Sequence, residues 1–396
     1  MVDKNFEILT YSKPLESVVR SDAEEALGTV LSLVNSSHSA VFIFDKENNF
    51  KGLVSPYSIL YQHNYPYETK VGSIVFNPPH ITKNTPLYEV AKHMVSTRMY
   101  SLPIFDEDHK ICGVVHGKDI LQGIAEDTKA LTYLSSTVKP RTPITANINS
   151  DVEEVYQHMK EKGVSRIVLV DDEGNMTGII SRSDLLPVFM KPTPKQRFGK
   201  NGVRSTDWAF DTEKKYRKNE PVRTFLTEMV EKAGVGASRK EIIKKLIASD
   251  HNSIVIVDKG NKPVGFVSLR DMFISLALLY PEEDTPIIFE KPSNSVSKEE
   301  IQKVEEHLSV FMKKMRKRTA LTKVQVSIEE PKYPTGLTAV FNTTLVVTPV
   351  VGRDFVSKTK RNTWIEGVQA ATDQIYKQEG RRRGGKTREE TLYASI

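Results

Sequence analysis

Short apolar runs, each interrupted by a polar turn and resumed by a second apolar run, recur four times: "IFDKENNFKGLVSPYSIL", "IFDEDHKICGVVHGKDIL", "LVDDEGNMTGIISRSDLL" and "IVDKGNKPVGFVSLRDMF". In each copy an apolar pair precedes an aspartate: Asp45, Asp106, Asp171 or Asp258. A glycine stands seven residues later, Gly52, Gly113, Gly178 or Gly265. Six residues beyond it comes Ser58, Asp119, Asp184 or Asp271. Four copies at fixed spacing are an internal repeat. Turn-forming Asp, Asn, Gly and Lys between two apolar stretches predict a β-hairpin. A helix is predicted after each hairpin and another before it. In "SDVEEVYQHMKEKG" the apolar Val152, Val155 and Met159 share a face, and Ser150 with Glu153 fits a capping box. "SRKEIIKKLIASD" repeats this with Ser238 and Glu241. The unit is helix–strand–strand–helix.

After Tyr280 the pattern changes. A short strand is predicted over 286–290. "SKEEIQKVEEHLSVFMKKMRKR" is an amphipathic helix with Ile301, Val304, Leu308, Phe311 and Met315 on one face. Ser297 and Glu300 fit a capping box, and Val296 with Ile301 a hydrophobic staple. "TKVQVSI" alternates strictly, which predicts a half-buried strand. "LTAVFNTTLVVTP" and "RDFVSKTKR" read as two further strands, the second with Lys358 and Lys360 on one side. "NTWIEGVQAATDQIYKQEG" reads as a closing helix with Ile365, Val368, Ala371 and Ile375 inward and Gly380 as its stop. The basic tail from 381 to 396 is expected to be flexible. The predicted order is strand–helix–strand–strand–strand–helix, and the class of the whole chain is α/β (α+β).

Composition changes this picture little. The chain has 396 residues, 39% of them apolar and 27% charged, as expected of folded domains. A net charge of +6 suits an anionic partner without demanding one. The single cysteine, Cys112, excludes an intrachain disulfide and is expected to be a buried small side chain in a strand. The first residues carry no basic-then-apolar signal pattern. "MFISLALLY" is too short to span a bilayer, and a cytoplasmic protein is expected. That run is also too apolar for an exposed helix, so it belongs in a core or in a dimer interface. No Gly-rich phosphate loop, Cys/His cluster or nucleophile–base pair stands out, and a non-enzyme is expected.

The candidate chemistry lies in Ser181-x-x-Asp184 and Ser268-x-x-Asp271, each where a strand gives way to a helix. Free N–H groups and the dipole at a helix start favour an anion. The serine hydroxyl can add a phosphate contact, and the carboxylate can accept both ribose hydroxyls. Equally, the serine can simply cap the helix while the aspartate favours its first turn.

The repeated hairpin, glycine and Ser-x-x-Asp spacing resembles the CBS domain over roughly residues 8–280. The resemblance implies two tandem modules. Repeats one and two would occupy 1–135, and repeats three and four 136–281. It implies clefts between paired repeats for AMP, ADP, ATP or S-adenosylmethionine, with no cofactor required, and it implies dimerisation. The ligand residues it implies are Ser181, Asp184, Ser268, Asp271 and Asp119, with adenine contacts from the backbone of Ile144 and Thr145. Repeat one has Ser58 in place of the carboxylate and repeat two has His116 in place of the hydroxyl, so the second module is the better ligand candidate. CBS repeats also occur in inosine-monophosphate dehydrogenases, but no segment here is long enough for their barrel. The insert 191–223 mixes basic residues with Phe198, Trp208, Phe210 and Tyr216, which suits either a solvated linker or RNA contact.

The order of elements over 282–380, the basic end of the first helix and "NTWIEGVQAATDQI" resemble the ribosome hibernation-promoting-factor fold. That resemblance implies the small ribosomal subunit and its rRNA as partner. Lys314, Lys317, Arg318, Lys323, Lys358, Lys360, Lys377, Arg381, Arg382 and Arg383 are the candidate RNA contacts. Helix dipoles account for part of that charge. Together the two halves resemble archaeal CBS-containing ribosome dimerisation factors, homodimers that repress translation under nucleotide control. The alternatives are a CBS nucleotide sensor that regulates a protein partner and an RNA-binding regulator unrelated to ribosomes.

Overall fold

The structure, a computed structural model, describes residues 8–33, 40–55, 59, 65–189, 219–226, 231–249, 251–279, 285–290, 297–329 and 340–384. Most of the insert 191–223, Ser58 and Val296 lie outside these residues. The described chain divides into two compact units, Met1–Ser275 and Leu276–Ile396.

The four hairpins are present: Val41–Phe44 with Phe50–Val54, Ser101–Phe105 with Ile111–His116, Arg166–Val170 with Met176–Ser181, and Ser253–Val257 with Pro263–Ser268. Each aspartate of the repeat ties its own turn. Asp45 Oδ1 accepts the N–H groups of Glu47 and Asn49, and Asp258 Oδ1 those of Gly260 and Lys262. Asp106 does the same for Asp108 and Lys110. Three residues past each aspartate the backbone turns left-handed, at Asn48, His109, Gly174 and Asn261. Asparagine and glycine tolerate that region best, which is why the turns are rich in them.

Each spaced glycine faces the apolar residue two positions before its aspartate: Gly52 on Ile43, Gly113 on Ile104, Gly178 on Leu169, Gly265 on Ile256. A register shift follows at once, so one residue of the second strand is left over in a bulge. In repeat two that residue is Cys112, which is exposed. The expectation of a buried thiol is corrected: the bulge removes Cys112 from the alternation that would have buried it.

A short strand runs parallel to the first hairpin strand of each repeat: Arg20–Asp22, Ile81–Thr82, Thr145–Asn147 and Lys232–Gly234. Helices then fill the interior. Val152, Val155 and Met159 are buried beneath the sheet of repeat three, as their spacing predicts. Repeats three and four share a core of Val168, Met176, Ile179, Val255 and Phe266. The Ser238–Glu241 capping box forms. The Ser150–Glu153 box does not. The cap there is Asp151, because Val152 N–H bonds Glu220 O and Asp151 bridges Pro221, which moves the helix start one residue on.

Repeat two packs on repeat four. Tyr100 stacks on Phe273 with ring centroids 5.3 Å apart. A side chain at Gly117 would meet that Phe273 ring at 2.8 Å, so glycine permits the approach. Met272, Phe273, Leu276 and Ala277 have no exposure. The apolarity of "MFISLALLY" is therefore used in a core, and it gives no separate reason for a dimer interface.

The C-terminal unit follows the predicted order. Strand Ile287–Glu290 runs parallel to Leu321–Glu329, which pairs antiparallel with Phe341–Pro349, which pairs with Phe355–Arg361. Helices Lys298–Arg316 and Trp364–Gly384 supply Val304, Leu308, Val368 and Ala371 to one core with Val324, Leu345 and Val347. The Ser297–Glu300 capping box forms. Gly380 does not end the last helix, which continues to Gly384 and takes in Arg381, Arg382 and Arg383. Gly380 has no left-handed φ, and Glu379 beside it is held by Arg318. A helical glycine then costs only about 1 kcal/mol. With the helices on one face, the other face of the sheet carries Lys323, Gln325, Ser327, Thr344, Lys358 and Lys360, in register from Ser327 through Thr344 to Lys358.

Candidate functional site: a cationic cleft in the second CBS module

Ser181 and Ser268 each end a strand, and the next residue opens a helix. In both, the aspartate three residues on folds back. Asp184 Oδ2 accepts the Ser181 N–H at 2.7 Å and its hydroxyl at 2.8 Å. Asp271 Oδ2 accepts the same groups of Ser268 at 2.8 and 2.6 Å. The aspartate thus reaches back to the residue before its helix, and this occupies one carboxylate oxygen. The other oxygen of Asp271 lies 3.4 Å from Nε of Arg141, whose Nη2 also reaches Ser268 Oγ at 3.2 Å.

Arg141 owes its place to a backbone bridge with Phe266, bonded in both directions at 2.8 and 3.0 Å. Its guanidinium lies over the Phe266 ring, 5.1 Å from the centroid. Here opens a cleft of about 130 Å³, walled by Ile144, Val168 and Phe266. Four guanidinium residues line it: Arg98 from repeat two, Arg141 and Arg166 from repeat three, Arg270 from repeat four. Burial, then the neighbouring Arg98, pushes the Arg270 pKa down. Burial likewise lowers Arg166. Burial pushes the Tyr100 hydroxyl up to about 12, so it stays a neutral donor. This is an electropositive pocket with an apolar wall and a carboxylate at one side, arranged to hold an anion attached to a flat or sugar-like body.

Of the expected ligand residues, the structure brings Ile144, Ser268 and Asp271 together. Ile144 lines the cleft, and its carbonyl accepts Val168 N–H at 2.9 Å. Thr145 is exposed at the start of a strand, and Thr142 lines the cleft instead. Ser181 and Asp184 do not line this cleft, although Ser181 pairs with Arg166, which does. By the pairing of Thr145 with Val168 and of Lys232 with Val255, the counterparts of residues 141–144 are 228–231, mostly outside the described residues.

The first module shows the same plan with its groups engaged differently. Lys13 stands where Arg141 stands, paired by backbone with Val114 and 4.0 Å from Asp119. His116 holds Ser17 Oγ through Nε2 at 3.0 Å and Ser101 Oγ through Nδ1 at 2.9 Å. The imidazole therefore knits the module rather than offering a free donor. Burial pushes its pKa below the ordinary 6.5, and Lys13 adds to this while Asp119 opposes it. A depressed imidazole costs no stability above pH 6.5 and costs progressively more as pH falls from there toward the folded value. Urea midpoints are expected to fall between pH 7.5 and 5.5, and His116→Gln is expected to flatten part of that fall. A wild-type midpoint that does not change over this interval would contradict the assignment.

The four arginines were missed in the sequence, although two left a signal. Arg166 is a charge that opens an apolar strand, and Arg98 stands eight residues before its aspartate, where repeat three has Gly163. In the C-terminal unit, Lys314, Lys317, Arg318 and Tyr376 surround a hollow of about 280 Å³. Arg318 is partly committed: Nη1 donates to the buried Glu379 at 3.1 Å, and the guanidinium lies 5.5 Å from the Tyr376 ring centroid. Lys323 Nζ donates to Gln325 Oε1. Lys358, Lys360, Lys377 and Arg381 are exposed, and the side chains of Arg382 and Arg383 lie outside the described residues. No helix among the described residues is long and apolar enough to cross a membrane.

Comparison with known proteins matches the CBS domain at residues 71–126, 137–191 and 222–277. The uncharacterized protein MJ1404 of Methanocaldococcus jannaschii is 24% identical over 210 residues, 53% of this chain and 48% of its own. This chain thus spans about half the length of that relative. A Thermofilum pendens relative, named as a 33.4 kDa protein in the ribosomal RNA operon, is 25% identical over 230 residues, 56% of this chain and 71% of its own. The crystal structure of protein MJ1225 from Methanocaldococcus jannaschii has the same fold, with a TM-score of 0.50 at 14% identity, over 68% of this chain and 99% of that one. Matched in three of its four bulged hairpin repeats and sharing the fold of an archaeal neighbour, the chain carries repeated CBS domains.

Proposed function

We propose that the chain is a non-catalytic sensor whose second CBS module binds an adenine nucleotide or related adenosyl ligand. The observation that carries this is the Ser268–Asp271 pair beside four guanidinium residues in one cleft. Asp271 would release Arg141 and accept ribose hydroxyls, while the arginines take the anionic end. Titration calorimetry of the full chain with AMP, ADP, ATP and S-adenosylmethionine up to millimolar concentration tests it. Absence of binding by all four ends the reading.

A second reading concerns what the sensor controls. The β-α-β-β-β-α unit leaves one sheet face open, and that face carries Lys323, Lys358 and Lys360. This supports an RNA-docking unit, with the small ribosomal subunit as its target and a homodimer to hold two subunits inactive in the cytoplasm. The Thermofilum pendens relative's name points the same way. Lys358→Glu with Lys360→Glu is expected to abolish co-sedimentation with small subunits in a sucrose gradient while nucleotide binding persists. Wild-type binding should weaken steeply with salt, by a log–log slope of roughly 0.7–0.9 for each phosphate contact. A wild type that never sediments with subunits favours a protein partner instead.

A further inference from the structure

We infer that Arg98, contributed by the first module, is the residue by which the cleft of the second selects ligands carrying two or more phosphates. The inference rests on the sensor reading above and names its ligand class.

Arg98 caps the helix Leu87–Thr97 at φ 58°, ψ 24°, in the left-handed region. A residue with a Cβ is strained there, and such positions ordinarily take glycine. The chain shows the relaxed solution itself. Gly163 ends the equivalent helix of repeat three at φ 65°, ψ 26°. An arginine where the same motif has glycine carries a conformational cost, and strain of this kind gathers where a side chain has work to do.

The side chain crosses from one module to the other. Arg98 Nη1 donates to Gly163 O at 3.4 Å, and Arg98 joins Arg141, Arg166 and Arg270 around the cleft. Nε of Arg270 is buried and makes no hydrogen bond among the described residues. Asp271 and Arg141 already suffice for a sugar and a first phosphate. Further guanidiniums brought in from another repeat add charge that a single phosphate cannot use. A di- or triphosphate spreads more negative charge over more acceptor oxygens and matches the planar donors of several arginines at once. The same charges oppose the sulfonium cation of S-adenosylmethionine, which sets specificity by repulsion as well as attraction.

Calorimetry with adenosine, AMP, ADP, ATP and S-adenosylmethionine on wild type and Arg98→Gly tests this, beside thermal melts of both proteins. Wild type is expected to bind ADP or ATP roughly tenfold more tightly than AMP, and S-adenosylmethionine more weakly than AMP. Arg98→Gly should lose that gain, weakening ADP and ATP roughly tenfold more than it weakens AMP. Its melting temperature should not fall, because glycine relieves the left-handed strain. Equal wild-type affinity for AMP and ATP overturns the inference and leaves the sensor reading standing. So does a variant that weakens AMP and ATP alike. A lower melting temperature with unchanged ligand preference would make Arg98 a strut between modules and overturn it too. Failure of wild type to bind any of the five ends the sensor reading itself.

Discussion

Trp364→Ala is expected to destabilise the C-terminal unit by about 3–5 kcal/mol, the usual cost of emptying a large aromatic site in a core. Trp364 is 1% exposed and is among the largest fully buried side chains described. It opens the last helix and meets Phe289 of the first strand of that sheet edge-on, with centroids 5.9 Å apart. Its Nε1 makes no hydrogen bond within the described protein, so the substitution removes packing and no polar partner. Domains of this size are stable by about 5–15 kcal/mol, and the loss is therefore a large fraction of the total. Urea denaturation followed by circular dichroism should show an early transition for the unit. Trp364→Phe should recover most of the loss. A shift below about 1 kcal/mol for the alanine variant would mean that the helix start is not part of the core's support.

Asp271→Ala is expected to weaken adenine-nucleotide binding by about 1.5–3 kcal/mol, the range for a hydrogen bond to a charged group. The carboxylate side chain is 16% exposed and bonds Ser268 with one oxygen, leaving the other to trade Arg141 for a ribose. Folding should weaken by about 1–2 kcal/mol, since the two bonds to Ser268 at the helix start are lost, while the pair with the 40% exposed Arg141 side chain contributes only about 0–1 kcal/mol. Asp119→Ala is the control. Its module holds His116 between two serines, with Lys13 beside Asp119, so nucleotide affinity should stay near wild type. Titration calorimetry reads both variants. Wild-type affinity in Asp271→Ala, or equal losses in the two, would remove the ribose role from the second module.

Local regularity makes much of the fold legible in the order of residues alone. The Asp-to-Gly spacing of seven encodes a bulged hairpin, because the carboxylate ties its own turn and the left-handed third residue sets the reversal. The alternation in "TKVQVSI" and the 3.6-residue spacing of Val304, Leu308, Phe311 and Met315 give a strand and a helix face. Ser238 and Ser297 form the capping boxes their spacing implies. These are interactions over a few residues, and the chain order contains them.

What only the tertiary structure decided involves partners far apart in the chain. Ser150 lost its capping role to Asp151, which bridges Pro221. Gly380 failed to stop a helix whose neighbour Glu379 is held by Arg318, sixty-one residues away. Cys112 came to the surface because a bulge, set by pairing with Ile104 and Phe105, took it out of step. Ser181-x-x-Asp184 and Ser268-x-x-Asp271 are the same pattern, and the sequence by itself determined only that each stands where a strand gives way to a helix. Which of them faces an arginine-lined cleft was decided when Arg141 bridged Phe266 and Arg98 arrived from another repeat, since charge acts through space and not along the chain.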